Sequence, residues 1–255
     1  MNKPRKDTSW GEVARPYSDH LENDPDTYQR QVILPNLLRL MKITRHDRVF
    51  DLACGQGFFT REFHKLGAKV IGADISPELI AEARKLSPPA VEFLVGSAED
   101  LSQIESGSFN KISCVLAIQN IEPVRKVIDE CARILSHDGK MYLVMNHPAF
   151  RIPDSSSWVF DEKTETMSRR IDSYLSESRK EIIMDPGESG GKTMISFHRP
   201  LQWYFKIFAN AGLAVTRFEE WISHKKSAVG PRQKEEDRTR KEFPLFLFLE
   251  LMNTK

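Results

Sequence analysis

The stretch Val49-Phe50-Asp51-Leu52-Ala53-Cys54-Gly55-Gln56-Gly57-Phe58-Phe59-Thr60 joins an apolar run, a carboxylate and a turn with two glycines. The apolar run predicts a strand ending near Asp51, and the residues after the turn predict a helix starting around Phe58. Between them, Gly55 and Gly57 let the backbone pass close under a ligand, as in the first turn of nucleoside-binding α/β folds. Gly55-x-Gly57 is also the front half of the dinucleotide fingerprint G-x-G-x-x-G. Thr60 stands in place of its third glycine, the one that allows close helix and strand packing.

Asp51 discriminates between cofactors. A pyrophosphate at this turn would face an anion, whereas a cofactor carrying an ammonium and a sulfonium would be attracted, which favours S-adenosylmethionine over NAD. The next strand strengthens this reading. Ala68-Lys69-Val70-Ile71-Gly72-Ala73-Asp74-Ile75-Ser76 is a β-branched run whose acid, 17 residues after Gly57, suits the two hydroxyls of an adenosine ribose. A helix is predicted directly after it, with Ser76 as N-cap, Pro77 at the first helical position and Glu78 in the first turn.

Four motifs, Asp51-Leu-Ala-Cys-Gly-Gln-Gly57, Gly72-Ala-Asp-Ile-Ser76, Gly96-Ser-Ala-Glu-Asp-Leu101 and Phe109-Asn-Lys-Ile-Ser-Cys-Val-Leu116, occur in order at suitable spacing. Together they resemble the successive motifs of class I S-adenosylmethionine-dependent methyltransferases. The likeness is to the branch that includes the ubiquinone and menaquinone C-methyltransferases and many small-molecule methyltransferases. It covers roughly 48–145 well and is looser outside that span.

The resemblance implies that Asp51, Gly55 and Gly57 hold the methionine moiety, with Ala53 of the same turn a further cofactor contact, that Asp74 and Ile75 hold the ribose, and that Ser97, Ala98 and Glu99 read the adenine. Many relatives have Asp where this chain has Ser97. Gln119, Asn120 and Ile121, after the fourth strand, are expected to border the methionine and the acceptor, and Leu116 is expected to contact the cofactor while lying partly in the core. A tyrosine of the N-terminal segment often closes over the cofactor in relatives, and Tyr17 is the expected counterpart here, near His20 and Tyr28. Trp10 is a candidate wall of the substrate pocket.

Strands are predicted near 47–51, 69–74, 91–95, 110–116 and 140–146, with helices near 58–66, 77–86 and 122–135. Alternation of this kind implies a parallel, Rossmann-like sheet with ligands at the carboxyl ends of the strands. Val32, Leu34, Leu37, Leu38 and Met41 recur at helical intervals, interrupted by Pro35. After Asn146 the alternation breaks, with candidate strands at 168–183 and 192–198 around the turn-rich loop 185–192. A helix at 201–211, ended by Gly212, and strands near 213–220 and 244–251 then complete a seven-stranded sheet with an antiparallel C-terminal hairpin. The expected division is an N-terminal lid (1–30), a cofactor-binding core (31–146), a small antiparallel substrate-cap insertion (147–200) and completion of the core (201–255). The charged linker 223–242 is expected to be a solvated loop.

A chain of 255 residues, 40% apolar, suits one such domain with its insertion. With 37 basic and 36 acidic residues the formal charge is +1, which gives no bulk attraction to nucleic acid or to an acidic membrane, so neither is an expected partner. Cys54, Cys114 and Cys131 have no metal-like spacing, no metal site is expected, and a reduced cytoplasmic setting is favoured over a secreted one. The first nine residues lack the apolar stretch of a signal peptide, and 243–252 is too short to span a bilayer. The sequence carries no signal for an oligomeric state.

Methyl transfer from a sulfonium is an in-line displacement, so holding the acceptor in a desolvated pocket can supply much of the acceleration. A base is required only where the acceptor must lose a proton. His198, in a Phe-His-Arg-Pro segment similar to a His-Arg segment of small-molecule relatives, is one candidate catalytic group. His147, directly after the fifth strand, is the other. The expected reaction is methylation of oxygen, nitrogen or carbon on a small, partly apolar acceptor. The alternatives are an RNA or protein methyltransferase, against which a closed cap would count, and a regulatory protein that binds the cofactor without catalysis.

Overall fold

The computed structural model describes residues 21–183 and 193–255. Five strands of the first half, β1 (Arg48–Leu52), β2 (Lys69–Asp74), β3 (Glu92–Val95), β4 (Phe109–Val115) and β5 (Leu135–Asn146), join two of the second, β10 (Leu213–Trp221) and β11 (Phe246–Asn253). They form one sheet in the order β10-β11-β5-β4-β1-β2-β3. Neighbours from β5 to β3 pair in parallel, while β11 runs antiparallel to both β5 and β10. The chain leaves β1 toward β2 and β3, then returns to place β4 on the other side of β1. That reversal opens a crevice at the carboxyl ends of β1 and β4.

Side-chain alternation along the strands builds the layers. In β1, Val49 joins a buried group containing Leu37 and Met41 of helix α1 (Leu34–Met41) and Phe59 and Phe63 of α2 (Phe58–Lys65). Phe50 and Leu52 point the other way, into a cluster with Val127, Ile128 and Cys131 of α4 (Val124–Ile134) and Ile207 and Phe208 of α5 (Leu201–Ala211). Helix α3 (Pro77–Leu86) packs Ile80 and Ala83 against Phe93 of β3. Its N-cap is the predicted one, with Ser76 Oγ accepting from the Leu79 amide at 3.2 Å. Gly212 ends α5 with φ +80°.

Pro35 leaves a visible mark. It cannot donate to the carbonyl four residues back, and the chain enters α1 through a single π turn, Gln29–Ile33. β5 starts at Leu135 rather than at 140, directly after α4, with a register shift on β4 between Phe109 and Lys111.

The insertion differs from the expected single pair of strands. It contains two hairpins, β6 (Ser156–Asp161) with β7 (Thr166–Ile171) and β8 (Ser178–Ile183) with β9 (Thr193–His198). Both strands of the first hairpin are largely exposed, so no apolar alternation announces them, and Ser155–Ser157 reads as a loop. The candidate strand 168–183 is split by residues 172–177, where the Asp172 amide turns back to the Ser155 carbonyl at 2.9 Å. The charged linker also holds a helix, α6 (Gln233–Glu242), instead of remaining a loop throughout. Glu235 and Glu236 in its first turn and Arg240 and Lys241 in its last complement the helix dipole. Glu235 further accepts from Arg238 and from the Met167 amide of β7, which docks the helix on the first hairpin.

Gly57 is fixed by tertiary packing. Its φ is +83°, and a Cβ there would sit 2.9 Å from the Phe93 ring and 3.2 Å from Ala83 Cβ. Gly57→Ala is expected to lower stability by about 2 kcal/mol or more, combining a left-handed Cβ penalty with overpacking. Urea denaturation of the two proteins checks this, and a loss under about 0.5 kcal/mol contradicts it.

Candidate cofactor and acceptor site

A cavity of 610 Å³ occupies the crevice. It runs from the turn after β1, past the ends of β2 and β4, to Met194, Ile195 and Phe197 of β9. Asp51, Ala53, Gly55, Asp74, Ile75, Ser97, Ala98, Glu99 and Leu116 all line it. Nine of the cofactor residues expected from sequence are thus brought together by four separate strand ends. Tyr17 lies outside the described residues, as do Trp10 and His20. Gly57 does not line the cavity. It begins α2 and admits the Phe93 ring, whereas a Cβ on Gly55, φ +58°, would meet nothing within 4 Å.

Asp51 is 2% exposed. Its Oδ2 accepts from Thr60 Oγ1 at 2.6 Å and its Oδ1 from Ser113 Oγ at 2.7 Å. Thr60, the residue that breaks the dinucleotide fingerprint, is therefore a support for the acid. Burial raises the Asp51 carboxyl to about 6, with the hydroxyls of Thr60 and Ser113 opposing the rise and Asp74 adding to it. Asp74 accepts from the Gly55 amide through Oδ2 and from the Ser76 amide through Oδ1, both at 2.9 Å. Burial raises its carboxyl too, opposed by those backbone amides. The same side chain that faces the cavity thus fastens the glycine turn to the start of α3.

Backbone strain gathers at the same place. Ala53 and Leu116 each follow a strand end with φ +54°, a left-handed conformation that costs a side-chain-bearing residue about 1 kcal/mol or more. The Leu116 amide is held by the Val144 carbonyl at 2.7 Å. Sequence reading does not find this strain, because nothing in the identity of alanine or leucine announces it.

The cavity wall is acidic. Asp51, Asp74, Glu99, Glu122 and Glu181 line it, with Arg179 as the opposing cation. Such a wall attracts an ammonium and a sulfonium and repels a pyrophosphate. The orphaned carbonyl end of Asn120 points to the same chemistry. Its Nδ2 donates to the Ile195 carbonyl at 2.8 Å, which ties the cap hairpin to the end of β4, and its buried Oδ1 has no partner among the described residues. The residues present fit S-adenosylmethionine.

The two candidate catalytic histidines are placed differently. His147 is 2% exposed and lines neither this cavity nor the smaller one beside it. Its Nε2 meets Glu220 Oε1 at 2.8 Å and its Nδ1 accepts from the Ala149 amide at 3.2 Å, so both nitrogens are engaged in bracing the loop after β5. Burial lowers its pKa against the pull of Glu220. His198 lies on the far side of β9, in a smaller cavity of 250 Å³. Its Nε2 donates to the Tyr174 carbonyl at 2.7 Å, which leaves Nδ1 as the other ring nitrogen.

The comparisons with known proteins agree with this geometry. Residues 50–143 match the family described as "Methyltransferase domain". Over 99 residues the chain is 35% identical to the ubiquinone biosynthesis O-methyltransferase of Xanthomonas oryzae pv. oryzae, which is 38% of this chain and 41% of that protein. The chain therefore spans well under half the length of the curated relatives it matches. Among solved structures, an S-adenosylmethionine-dependent methyltransferase from Mesorhizobium loti superposes with a TM-score of 0.68 at 24% identity, covering 85% of this chain and 96% of that one. The PH0226 protein of Pyrococcus horikoshii gives 0.61 at 22% identity, over 96% and 99%.

Two measurements check the role of Asp51. Folding raises this carboxyl from 3.8 to about 6, so the contribution of its protonation to stability is complete below pH 3.8 and is lost as pH rises through 6. Asp51→Asn should therefore stabilise the ligand-free protein at pH 8, by up to about 3 kcal/mol, while abolishing S-adenosylhomocysteine binding by calorimetry. For the native protein, affinity for S-adenosylhomocysteine should weaken as pH falls below about 6, where the carboxyl takes up its proton. Affinity unchanged from pH 8 to pH 5 contradicts this.

The order of strands and the four strand-end motifs on one acidic cavity are thus those of a Rossmann-like methyltransferase fold, and residues 50–143 match the methyltransferase domain family.

Proposed function

We propose that this chain transfers a methyl group from S-adenosylmethionine to oxygen, nitrogen or carbon of a small, partly apolar acceptor. One observation carries the reading: the cofactor turn and the cap hairpin line the same cavity. The strand-end residues Asp51, Gly55 and Asp74 border one part of it, and Ile121, Pro123, Met194, Ile195 and Phe197 form an apolar border at the other. A cap joined to the core by the Asn120–Ile195 bond favours a small acceptor over a macromolecule. The ubiquinone O-methyltransferase relatives support the same class of acceptor, over the segment they share.

Bound at the acidic end, the cofactor supplies an electrophilic methyl carbon on a cationic sulfur. The chain does the rest by placement. Asp51 and Asp74 orient the donor through its charge and its ribose, and the strained turns at Ala53 and Leu116 bring backbone to the cavity wall. The apolar border excludes water from the acceptor, which strengthens its contact with a cation and aligns it for in-line attack. Asn120 Oδ1 is an acceptor for a proton-bearing group in that space. His147 has no free nitrogen for the reaction, and His198 is separated from the donor end by β9, so its part is a positioning one or a proton relay through Nδ1.

Calorimetry should show binding of S-adenosylmethionine and S-adenosylhomocysteine, with NAD much weaker. Asp74→Ala should weaken that binding by about tenfold or more, since it removes both a ligand contact and the anchor of Gly55. Tight NAD binding without adenosylmethionine binding would sink the proposal. Incubation with labelled S-adenosylmethionine and a panel of small phenols and amines should yield S-adenosylhomocysteine and labelled product in equal amounts.

A further inference from the structure

The smaller cavity, beside β9, is built for an anion. Arg151, Arg169 and Arg199 line it together with Gln119, and Phe197 borders both this cavity and the larger one. Each guanidinium donates its hydrogen bonds to neutral acceptors. Arg151 donates to Asn146 Oδ1 at 3.2 Å. Arg169 donates to the Phe150 carbonyl at 2.7 Å and Ser156 Oγ at 2.6 Å, with its guanidinium over the Trp158 ring at 5.0 Å. Arg199 donates to the Ile121 and Glu122 carbonyls at 3.0 and 2.9 Å, between the rings of Phe197 and Trp203, each 4.8 Å away.

Carboxylates near this group are few and lie at its edge. Asp154, on the cavity wall, pairs with Lys180 at 3.3 Å, and the half-exposed Glu177 reaches Arg199 Nε only at 4.0 Å. Burial together with the charge of Arg151 lowers the pKa of Arg169, and neither arginine pairs with a carboxylate among the described residues. Arg199 is 4% exposed, and its Nη1 is buried with no partner among the described residues. A buried, unpaired guanidinium N–H is costly, and a bidentate oxyanion is the group that satisfies it best.

Gln119 adds a second requirement. Its Nε2 donates to the Leu116 carbonyl at 2.7 Å, which fixes the amide so that Oε1, buried and unpartnered, is an acceptor on the cavity wall. A ligand completing this site carries an oxyanion and an N–H or O–H donor. Neighbouring residues of one turn thus serve both spaces, Gln119 on the smaller cavity and Asn120 on the larger.

We propose that the smaller cavity binds the carboxylate of the methyl acceptor, making the substrate a hydroxy or amino carboxylic acid whose acid group Arg151, Arg169 and Arg199 recognise past Phe197. The proposal rests on the methyltransferase reading and deepens it. Arg199 and Arg169 are the specificity-determining residues, and His198, on the same wall, is a positioning residue.

The test uses the full chain saturated with S-adenosylhomocysteine and four probes: 3-(4-hydroxyphenyl)propanoate, 4-aminobenzoate and the methyl ester of each. Calorimetry should show both acids binding about tenfold or more tighter than their esters. Arg169→Gln and Arg199→Lys should each erase that preference while S-adenosylhomocysteine affinity stays within about twofold. Arg151→Gln, at an exposed position, serves where the buried change compromises folding, and should weaken acid binding in the same direction. Esters binding as tightly as acids, or an acid preference untouched in all three variants, overturns the carboxylate site and leaves the methyltransferase reading standing. Failure of the native chain to bind S-adenosylhomocysteine overturns both.

Discussion

Two buried carboxylates at adjacent strand ends are the constraint on which the site depends. Asp51 and Asp74 repel one another across the turn after β1, and burial raises both above the ordinary carboxylate range. The fold accommodates them with four short donors: Thr60 and Ser113 for one, the amides of Gly55 and Ser76 for the other. Those donors come from β4, from the glycine turn and from the starts of α2 and α3. Holding the two acids therefore fixes how three strand ends and two helix starts meet.

This arrangement costs the ligand-free protein stability. Ionised Asp51 lacks a basic partner among the described residues, and two non-glycine residues on the cavity wall hold positive φ. The compensating stability lies away from the site, in a sheet whose two faces bury continuous apolar clusters. On the proposed reading, a cationic cofactor would relieve the electrostatic part of the strain on binding, and its affinity would include that relief.

The cap shows a different solution to the same polar problem. Its arginines are solvated by carbonyls and amide oxygens of the segments after β4 and β5, and braced by aromatic faces. The cavity that results is positive, next to one that is negative. Phe197 stands between the two. On the proposed reading, donor and acceptor meet fields of opposite sign, a separation that would orient a molecule carrying an acid at one end and a nucleophile at the other.

Much of this was legible in the chain itself. The apolar runs and glycine turns locate β1 to β4 within about one residue, because strand burial and turn stereochemistry are local demands written directly into residue type. The capping serine of α3 and the acids at two strand tips are legible for the same reason. Other features are not local. That Thr60 supports Asp51 and that Gly57 exists for the Phe93 ring follow from contacts made only in the folded chain, while the exposed β6–β7 pair is hidden by its lack of apolar alternation. The helix at Gln233–Glu242 is also hidden, since its docking depends on Met167, and its polar face resembles a solvated loop. Sequence by itself determined the layered α/β core and a cationic cofactor at its strand ends. Only the tertiary structure decided which arginines gather behind β9 and which histidine nitrogens are left free, because those depend on the packing of segments that carry no periodic signal of their own.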